Sequence, residues 1–498
     1  MRPLTKAPAS GGPFFVAAGF AALFLTAIIG AGIGAGLYKM IAALVLLVPA
    51  IFMLMRPDVF LLLFAGLALL VAGSLKYFFG MGQFQWVLSV FGAVLLGYTV
   101  MQNLFSGEAK TIPADGVVQL ILLWWSMVIF SSAANALPGL DWFVGLRIYL
   151  PFFGIFAYVA YCRSTEKLIK SVMLFIIFIA AVQWIFCLYQ KLQVVPLRIA
   201  GHYPGSPWDS IVGSFGGDKF SGGESGSLGI YLSIVMVIAI ALKKNRQISV
   251  VPFLALFVSG FVAMALTESK VIALMIPLGC LLVYREYVWS HPAKFLAGTA
   301  VAMLFMAGLL SAYYYLYWQA EAKSGLIESL YSRLFYSFDP NFQASATNLG
   351  RVGSLVFWCD KHTLTDNPLT LLVGHGLASA VSASTVIGQG AAAQRYGLML
   401  DVTGASKLLW ESGLLGLMCF LSVFAVGFLR AGQMKAHRMV PPWHRAVMSG
   451  VEASMVLMPL SIFYEVTVVS SPPMQFVAMF LLGYVVYWWR KTAEASRV

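Results

Sequence analysis

Apolar runs of close to 20 residues recur along nearly the whole 498-residue chain, separated by polar segments. Such a run crosses about 30 Å of hydrocarbon as an α-helix, which bonds all of its own backbone polar groups. The pattern predicts fourteen membrane spans, or twelve or thirteen if the short third and tenth runs do not cross. The predicted spans are 14–35, 38–55, 59–75, 82–101, 116–134, 143–162, 168–190, 225–242, 248–266, 271–284, 295–316, 405–429, 446–466 and 473–489.

Two of the polar connections are long. Residues 191–224 are rich in Gly, Ser and Pro, which is typical of irregular backbone. Residues 318–404 form a larger loop of mixed character, which we expect to carry short helices. Neither segment is large enough to fold alone, so we expect a single all-α polytopic membrane domain over residues 1–498. The first run follows a polar start without a clear small-residue cleavage site, which favours a retained span over a signal peptide.

One short helix is predicted inside the large loop. Asn348 or Gly350 caps it, Arg351 lies at its start, and it runs to about Thr365, before the Asn367-Pro368 pair. Its predicted apolar face consists of Val352, Leu355, Val356 and Cys359, spaced as on one side of a helix.

The distribution of Lys and Arg predicts the orientation. Basic clusters lie at Arg163/Lys167/Lys170, Lys243/Lys244/Arg246, Arg285/Lys294, Arg430/Lys435/Arg438/Arg445 and Arg490/Lys491/Arg497. Fourteen crossings put all of them on one side, which then carries 19 basic and 6 acidic residues and a net charge of +13. By the positive-inside rule this side is cytoplasmic, together with both termini. The net charge of +12 therefore indicates topology and not nucleic-acid binding.

Composition excludes a soluble protein, because 60% of the residues are hydrophobic and only 10% are charged. The five cysteines are scattered and show neither a disulfide framework nor metal-ligand spacing. We therefore expect no metal site and no cofactor.

Several basic residues lie near the outer face, against the positive-inside bias. They are Arg147, Arg198, Lys219, Lys270 and Arg351. An anionic lipid head group would explain them, since Arg pairs bidentately with phosphate oxygens. Structural alternatives stay open: Arg147 could pair with Asp141, Lys270 with Glu268, and Arg351 with loop carbonyls.

Four segments follow one another between about residues 210 and 425. They are IVGSFGGDKFSGGESGSLGIYLSIVM, ALTESKVIALMIPLG, LGRVGSLVFWCDKHTLTDNPLTLLVGHG and KLLWESGLLGLMCFLSVF. In this order they resemble the bacterial O-antigen polymerase and O-antigen ligase superfamily. The shared features are a Gly-Ser-Phe run before a helix, a Ser-basic turn, a Gly-Arg pair with Trp and Asn-Pro-Leu, and a Glu-x-Gly-Leu-Leu-Gly helix. The first 200 residues share only hydropathy with that superfamily.

The resemblance implies a metal-independent glycosyltransferase with a GT-C-like fold in the bacterial inner membrane. Its donor would be an undecaprenyl-diphosphate-linked oligosaccharide at the periplasmic face, its acceptor a glycan, and its partners chain-length regulator and export proteins. Arg351 matches the superfamily's loop arginine, and Lys270 stands where arginine is usual; both would hold the donor diphosphate. A His-Asn pair is common about nine residues before the glutamate, where this chain has Val402 and Thr403.

The chemistry fits these residues independently. Breaking a sugar–diphosphate bond builds negative charge on the leaving group, which fixed cations stabilise. Arg147, Arg198 and Lys219 are further candidates for diphosphate binding. The attacking hydroxyl needs a general base. His375 is the first candidate for the base, ahead of Glu411, Asp401 and Glu268.

Two other functional classes stay open. A flippase for lipid-linked oligosaccharides can also have about fourteen spans, but transporters tend to show repeated halves and midplane sites, and neither is evident. A scaffold subunit of an envelope polysaccharide machine is the second. Within the superfamily, the sequence does not separate polymerase from ligase; the missing His-Asn pair favours an exopolysaccharide-type polymerase.

Overall fold

A computed structural model describes residues 57–495 except 106–114, 163, 204–205, 221, 320–327, 329–330, 332–333, 344 and 385. The predicted spans 14–35 and 38–55 lie outside the described residues, as does the start of the chain. From Leu61 onward the chain forms one compact unit. Its described residues form helices and loops and no named β-strand.

The α-helices of the described residues are α1 (Pro57–Gly66), α2 (Ala72–Phe79), α3 (Gln85–Phe105), α4 (Gly116–Ala134), α5 (Gly139–Tyr161), α6 (Glu166–Tyr189), α7 (Val195–Ala200), α8 (Ser225–Lys244), α9 (Val250–Thr267), α10 (Ile272–Tyr284), α11 (Tyr287–Ser290), α12 (Pro292–Tyr313), α13 (Arg351–Lys361), α14 (Pro368–Val373), α15 (Ala391–Tyr396), α16 (Gly404–Ala436), α17 (Pro442–Ser461), α18 (Thr467–Ser470) and α19 (Pro472–Ala495). Three π-helical turns, Leu67–Val71, Gln190–Val194 and Tyr314–Trp318, join α1 to α2, join α6 to α7 and extend α12.

Each predicted span within the described residues coincides with a helix. Among those residues, eight helices are long and apolar enough to cross a membrane, and α5, which is bent by 41°, is a ninth if it counts as one span. Helix α10 is shorter, at 13 residues, and α17 and α19 are long but less apolar. The prediction of an all-α, multi-pass membrane protein is confirmed.

Helix α8 lies at the centre of the helix packing, and 94% of its apolar stretch is buried. Small residues on its neighbours permit this. A Cβ on Gly450 of α17 would lie 2.5 Å from Cα of Ile238, and a Cβ on Gly279 of α10 would collide with Val237. Glycine at such positions lets membrane helices approach closely. The close packing fixes the position of α8 in the bundle, and its start borders the charged residues described below.

Three of the basic clusters meet at one end of the helices through two shared acids. Lys244 and Lys435 lie 3.3 and 2.7 Å from the Glu286 carboxylate. Arg285 and Lys435 each lie 2.6 Å from Glu452, which is buried. Charges at membrane depth need such partners.

The other two basic clusters join the same end through α17. Lys491 and His444 lie 3.2 and 3.4 Å from Glu166, and Lys170 lies over the ring of Trp443 at 5.1 Å. The described residues of the five clusters predicted to share one side of the membrane therefore lie at one end, which we call the basic end. The opposite end, where the long connections lie, is the loop end.

The prediction of irregular backbone over 191–224 is wrong for its first residues. Through a π-helical turn α6 continues into α7, which ends at Ala200. Pro196 lies directly after the π-helical turn, in the first residues of α7. The loop itself begins at Gly201.

The short loop helix α13 is confirmed, with Gly350 (φ 75°) as its N-cap, but it ends at Lys361. The predicted apolar face is only partly covered, with Val352 and Leu355 half-buried. Val356 is 44% exposed and Cys359 is exposed. The buried side consists of Gly353, Ser354 and Trp358. Close backbone packing decides this, because a Cβ on Gly353 would lie 2.9 Å from the carbonyl oxygen of Pro340.

Candidate functional site

Charged side chains gather at the loop end from six different parts of the chain. We call them the loop-end cluster, which consists of Lys191, Arg198, Asp209, Glu224, Glu268, Lys270, Arg351 and Glu465. The π-helical turn and α7 supply the first two, and the short 3-10 helix Pro207–Ser210 supplies Asp209. The others lie at the start of α8, the α9–α10 turn, the start of α13 and the segment after α17.

Arg351, the first residue of α13, is held by three other residues. Its Nε donates to the carbonyl oxygen of Tyr464 at 2.6 Å, and its guanidinium lies over the Tyr464 ring at 4.0 Å. The Glu465 carboxylate is 3.9 Å away, and the guanidinium also donates to the Tyr336 hydroxyl. These contacts fix the direction in which the guanidinium presents its charge.

Asp209 lies where the charges of three cations act on one carboxyl. Burial raises the pKa of its carboxyl, and the charges of Arg198, Lys270 and Arg351 all act in the opposite direction. Arg198 is itself buried, at 1% exposure. The structure therefore brings together three of the five basic residues predicted to bind a diphosphate.

Lys270 is not paired with Glu268, so that structural alternative does not hold. The Glu268 carboxylate instead accepts a hydrogen bond from Nε1 of Trp318 at 2.5 Å. Lys270 is half-buried and lies over the ring of Tyr336 at 4.5 Å. No carboxylate of the described residues lies within ion-pair distance of its ammonium group. Its charge is therefore directed into the cluster through aromatic contacts, which attract cations without neutralising them.

Glu465 differs from the other acids of the cluster. Burial raises the pKa of its carboxyl to about 7, Arg351 opposes this rise, and Glu224 and Asp209 add to it. Its carboxylate packs against the first turn of α8, where a Cβ on Gly226 would lie 2.8 Å from Oε2. This carboxyl can gain or lose a proton near neutral pH while it lies beside a fixed guanidinium.

Two acids of the cluster lie on strained backbone. Glu224 (φ 73°) precedes α8, and Glu268 (φ 51°) ends α9. Left-handed conformations are costly for residues with a Cβ and are often found at functional sites. The charge of Glu268 acts on Lys191, and the Glu224 carboxylate accepts a hydrogen bond from the hydroxyl of Ser227.

The structure does not bring Arg147 and Lys219 into this cluster. Arg147 stacks on the ring of Trp86 at 4.2 Å, and among the described residues it makes no ion pair with Asp141. Lys219 lies near the ring of Phe220, at 5.6 Å.

His375 is hydrogen-bonded to His362, with 2.9 Å between their Nε2 atoms. Nδ1 of His362 lies 2.9 Å from the carbonyl oxygen of Trp358 and must therefore donate its proton there. His375 then donates from Nε2 and keeps the lone pair on Nδ1. Burial lowers the pKa of His375 to about 4, helped by the charges of His362 and Arg395.

The histidine pair lies far from the loop-end cluster. His362 follows the last residue of α13, whereas Arg351 is the first, which separates their backbones by about 15 Å at 1.5 Å per residue. The structure therefore separates the first candidate for the base from the cations expected to hold the donor.

Glu411 is buried inside α16 with two polar partners. Its carboxylate accepts from Nζ of Lys407 at 2.7 Å and from the hydroxyl of Tyr149 at 2.5 Å. This arrangement satisfies the charge internally. Among the described residues, neither Glu411 nor Lys407 makes a hydrogen bond or ion pair with a member of the loop-end cluster.

The helix that carries Glu411 is broken at Gly413 (φ 66°). The break leaves carbonyl groups without helical partners. Backbone N–H groups from the large loop satisfy two of them: His375 donates to Trp410 at 2.7 Å and Gly376 to Glu411 at 3.0 Å. The loop is thus fastened into the helix bundle at this point.

Sequence reasoning assigned no role to Lys191, Asp209, Tyr336 or Tyr464. Their signal is weak, because each is an ordinary polar or aromatic residue near the end of a span. Within the described part of the chain, no three His, Cys, Asp or Glu side chains are grouped so as to hold a metal ion. No model of a protein family matches the chain, and a search of curated proteins gave no match.

Proposed function

We propose that the chain is a membrane glycosyltransferase of GT-C-like fold that polymerises or ligates undecaprenyl-diphosphate-linked oligosaccharide repeat units. In this proposal the basic end is cytoplasmic, with both termini, and the loop end faces the periplasm across the bacterial inner membrane. Acceptor glycan, chain-length regulator and export proteins are the proposed partners. The observation that carries the proposal is the grouping of Arg198, Lys270 and Arg351 at the loop end, where all three charges act on the carboxyl of Asp209.

Such a cluster suits a diphosphate leaving group. When the sugar–oxygen bond breaks, the electron pair stays on the diphosphate, and the new charge is stabilised by cations held in place beforehand. Buried Arg198, Lys270 with no ion-pair partner in the described chain, and the clamped Arg351 offer different approaches to one anion. A lipid-borne donor also accounts for a charged site at the end of spanning helices.

We assign the general base to Glu465. The acceptor hydroxyl gives its proton to this carboxylate as its oxygen bonds to the donor sugar. Glu465 lies 3.9 Å from Arg351, and its pKa of about 7 suits proton transfer at neutral pH. His375 is the alternative base, but it lies at the far end of α13 from Arg351.

The test substitutes Arg351→Ala in cells that lack their own copy of the chain. We expect loss of polymer and accumulation of lipid-linked single repeats at the outer face. Lys361→Ala is the matched control, because Lys361 is an exposed cation at the opposite end of the same helix, and it should leave product length unchanged.

The other outcomes favour other functions. Unchanged product in the Arg351→Ala strain would indicate a scaffold subunit. Lipid-linked repeats retained on the cytoplasmic side would indicate the flippase, which is the second candidate function.

A further inference from the structure

A cavity lies at the basic end, away from the loop-end cluster. Its volume is about 690 Å³, within the range of about 300–1,000 Å³ typical of ligand sites. Helices α9, α10 and α12 form its apolar walls, and small side chains on α12, such as Ala297 and Gly298, leave the space between them.

Cations line one side of this cavity. Lys243, Lys244 and Arg246 come from the end of α8, and Lys294 comes from the start of α12. Only Lys244 has an acidic partner among the described residues, at 3.3 Å from Glu286. The other three direct uncompensated positive charge at the entrance of an apolar space.

Arg246 also occupies an unfavourable backbone conformation. Its φ of 56° is left-handed, at a position after a helix where glycine or asparagine is usual. A residue with a Cβ is strained in this conformation. Glycine would avoid this strain. The presence of Arg246 instead points to a role for its guanidinium.

We propose that this cavity binds one anionic glycerophospholipid, with its phosphate at Lys243, Arg246 and Lys294 and its acyl chains between α9, α10 and α12. Basic pockets between spanning helices suit anionic head groups, and apolar walls suit acyl chains. A zwitterionic lipid with the same chains fits the walls equally well but carries a compensating positive charge. The cavity therefore selects for the net charge of the head group.

Native mass spectrometry of the purified full chain tests this with phosphatidylglycerol and phosphatidylcholine of identical acyl chains. We expect one retained phosphatidylglycerol per chain. Lys243→Gln with Lys294→Gln should lower its affinity about thirtyfold, since each basic residue near a membrane surface contributes about 1 kcal/mol. Arg246→Gly should weaken binding while relieving the backbone, so its thermal stability without lipid should not fall.

The Gly298→Leu variant distinguishes lipid binding inside the cavity from a general attraction of anionic lipid to the charged surface. A Cβ at Gly298 meets only the ring of Tyr284, at 3.7 Å or more, so a larger side chain extends into the cavity and should block the acyl chains with every cation intact. Arg438→Gln, an exposed cation at the same end, should leave binding unchanged. Equal retention of phosphatidylcholine, an equal loss in Arg438→Gln, or preferential capture of undecaprenyl phosphate would overturn the proposal.

Discussion

Glu465 is the residue whose ionisation should control the rate. A base acts in its ionised form, so the rate of polymer formation at saturating donor should rise with pH, with a midpoint near the Glu465 pKa of about 7. Glu465→Gln cannot accept the proton and should lower that rate by about 10²–10⁴-fold. The measurement is the rate in membrane vesicles as a function of pH.

His375→Asn distinguishes the two candidate bases. The pKa of His375 is lowered to about 4, so this histidine is already neutral throughout the range in which Glu465 titrates. The variant should keep both the rate and the pH midpoint near 7. A large loss of rate in His375→Asn, with Glu465→Gln nearly normal, would assign the base to the histidine.

The buried pair Lys407–Glu411 gives a prediction about stability. Lys407→Met removes the only cation that the described residues place at the Glu411 carboxylate, and leaving a buried charge uncompensated costs about 3–5 kcal/mol. Adding Glu411→Gln should recover most of that loss. Lys491→Met, at a half-exposed pair with Glu166, should cost less than about 1 kcal/mol. Denaturant unfolding in detergent measures all of these, and similar losses in the single and double variants would refute the pairing.

Single residues of the site were only partly predictable from sequence. Lys270 and Arg351 stand out because basic residues near the outer face contradict the positive-inside bias. Asp209 and Glu465 do not stand out in this way. Their importance depends on a loop backbone that brings them to cations far away in the chain. The pairing of His362 with His375 likewise depends on the fold of the large loop.

At the scale of elements, the break in α16 should be intolerant of any side chain at Gly413. A Cβ there would collide with the backbone of Leu372 and Val373, in addition to the strain of φ 66°. Gly397→Ala is the control, because φ is 64° and no atom lies within 4 Å of its Cβ. We expect Gly413→Ala to lower the free energy of unfolding by at least about 2 kcal/mol more than Gly397→Ala does. Equal losses would show that the contact with the loop is not tight.

The spanning helices were predictable because the apolar runs and the polar breaks between them follow from the thickness of the bilayer. The buried face of α13 was not. Hydrophobic spacing predicts Val356 and Cys359 inside, but Gly353 and Trp358 face inward because the backbone of Pro340 approaches the helix. Periodicity identifies an amphipathic helix more reliably than it identifies which side is covered by a short loop.

At the scale of the whole molecule, the clustering of Lys and Arg predicted which helix ends lie together. Five basic clusters far apart in sequence share an end through Glu166, Glu286 and Glu452. The acids hold the cations together, so the charge that orients the chain also joins its helices. Charge patterning therefore predicts which helix ends lie on the same side. Which helices are neighbours at that end depends on packing.

The orientation itself can be tested with a native cysteine. Cys359 is exposed, whereas the other four cysteines are buried. If the loop end faces outward, a membrane-impermeant maleimide added to spheroplasts should label the chain, and Cys359→Ser should abolish the label. Arg438→Cys, placed on the Cys359→Ser background, adds an exposed thiol at the basic end and should be labelled only after the membrane is permeabilised. The reverse pattern would place the loop-end cluster in the cytoplasm, where an enzyme that acts on exported lipid-linked repeats could not meet its donor.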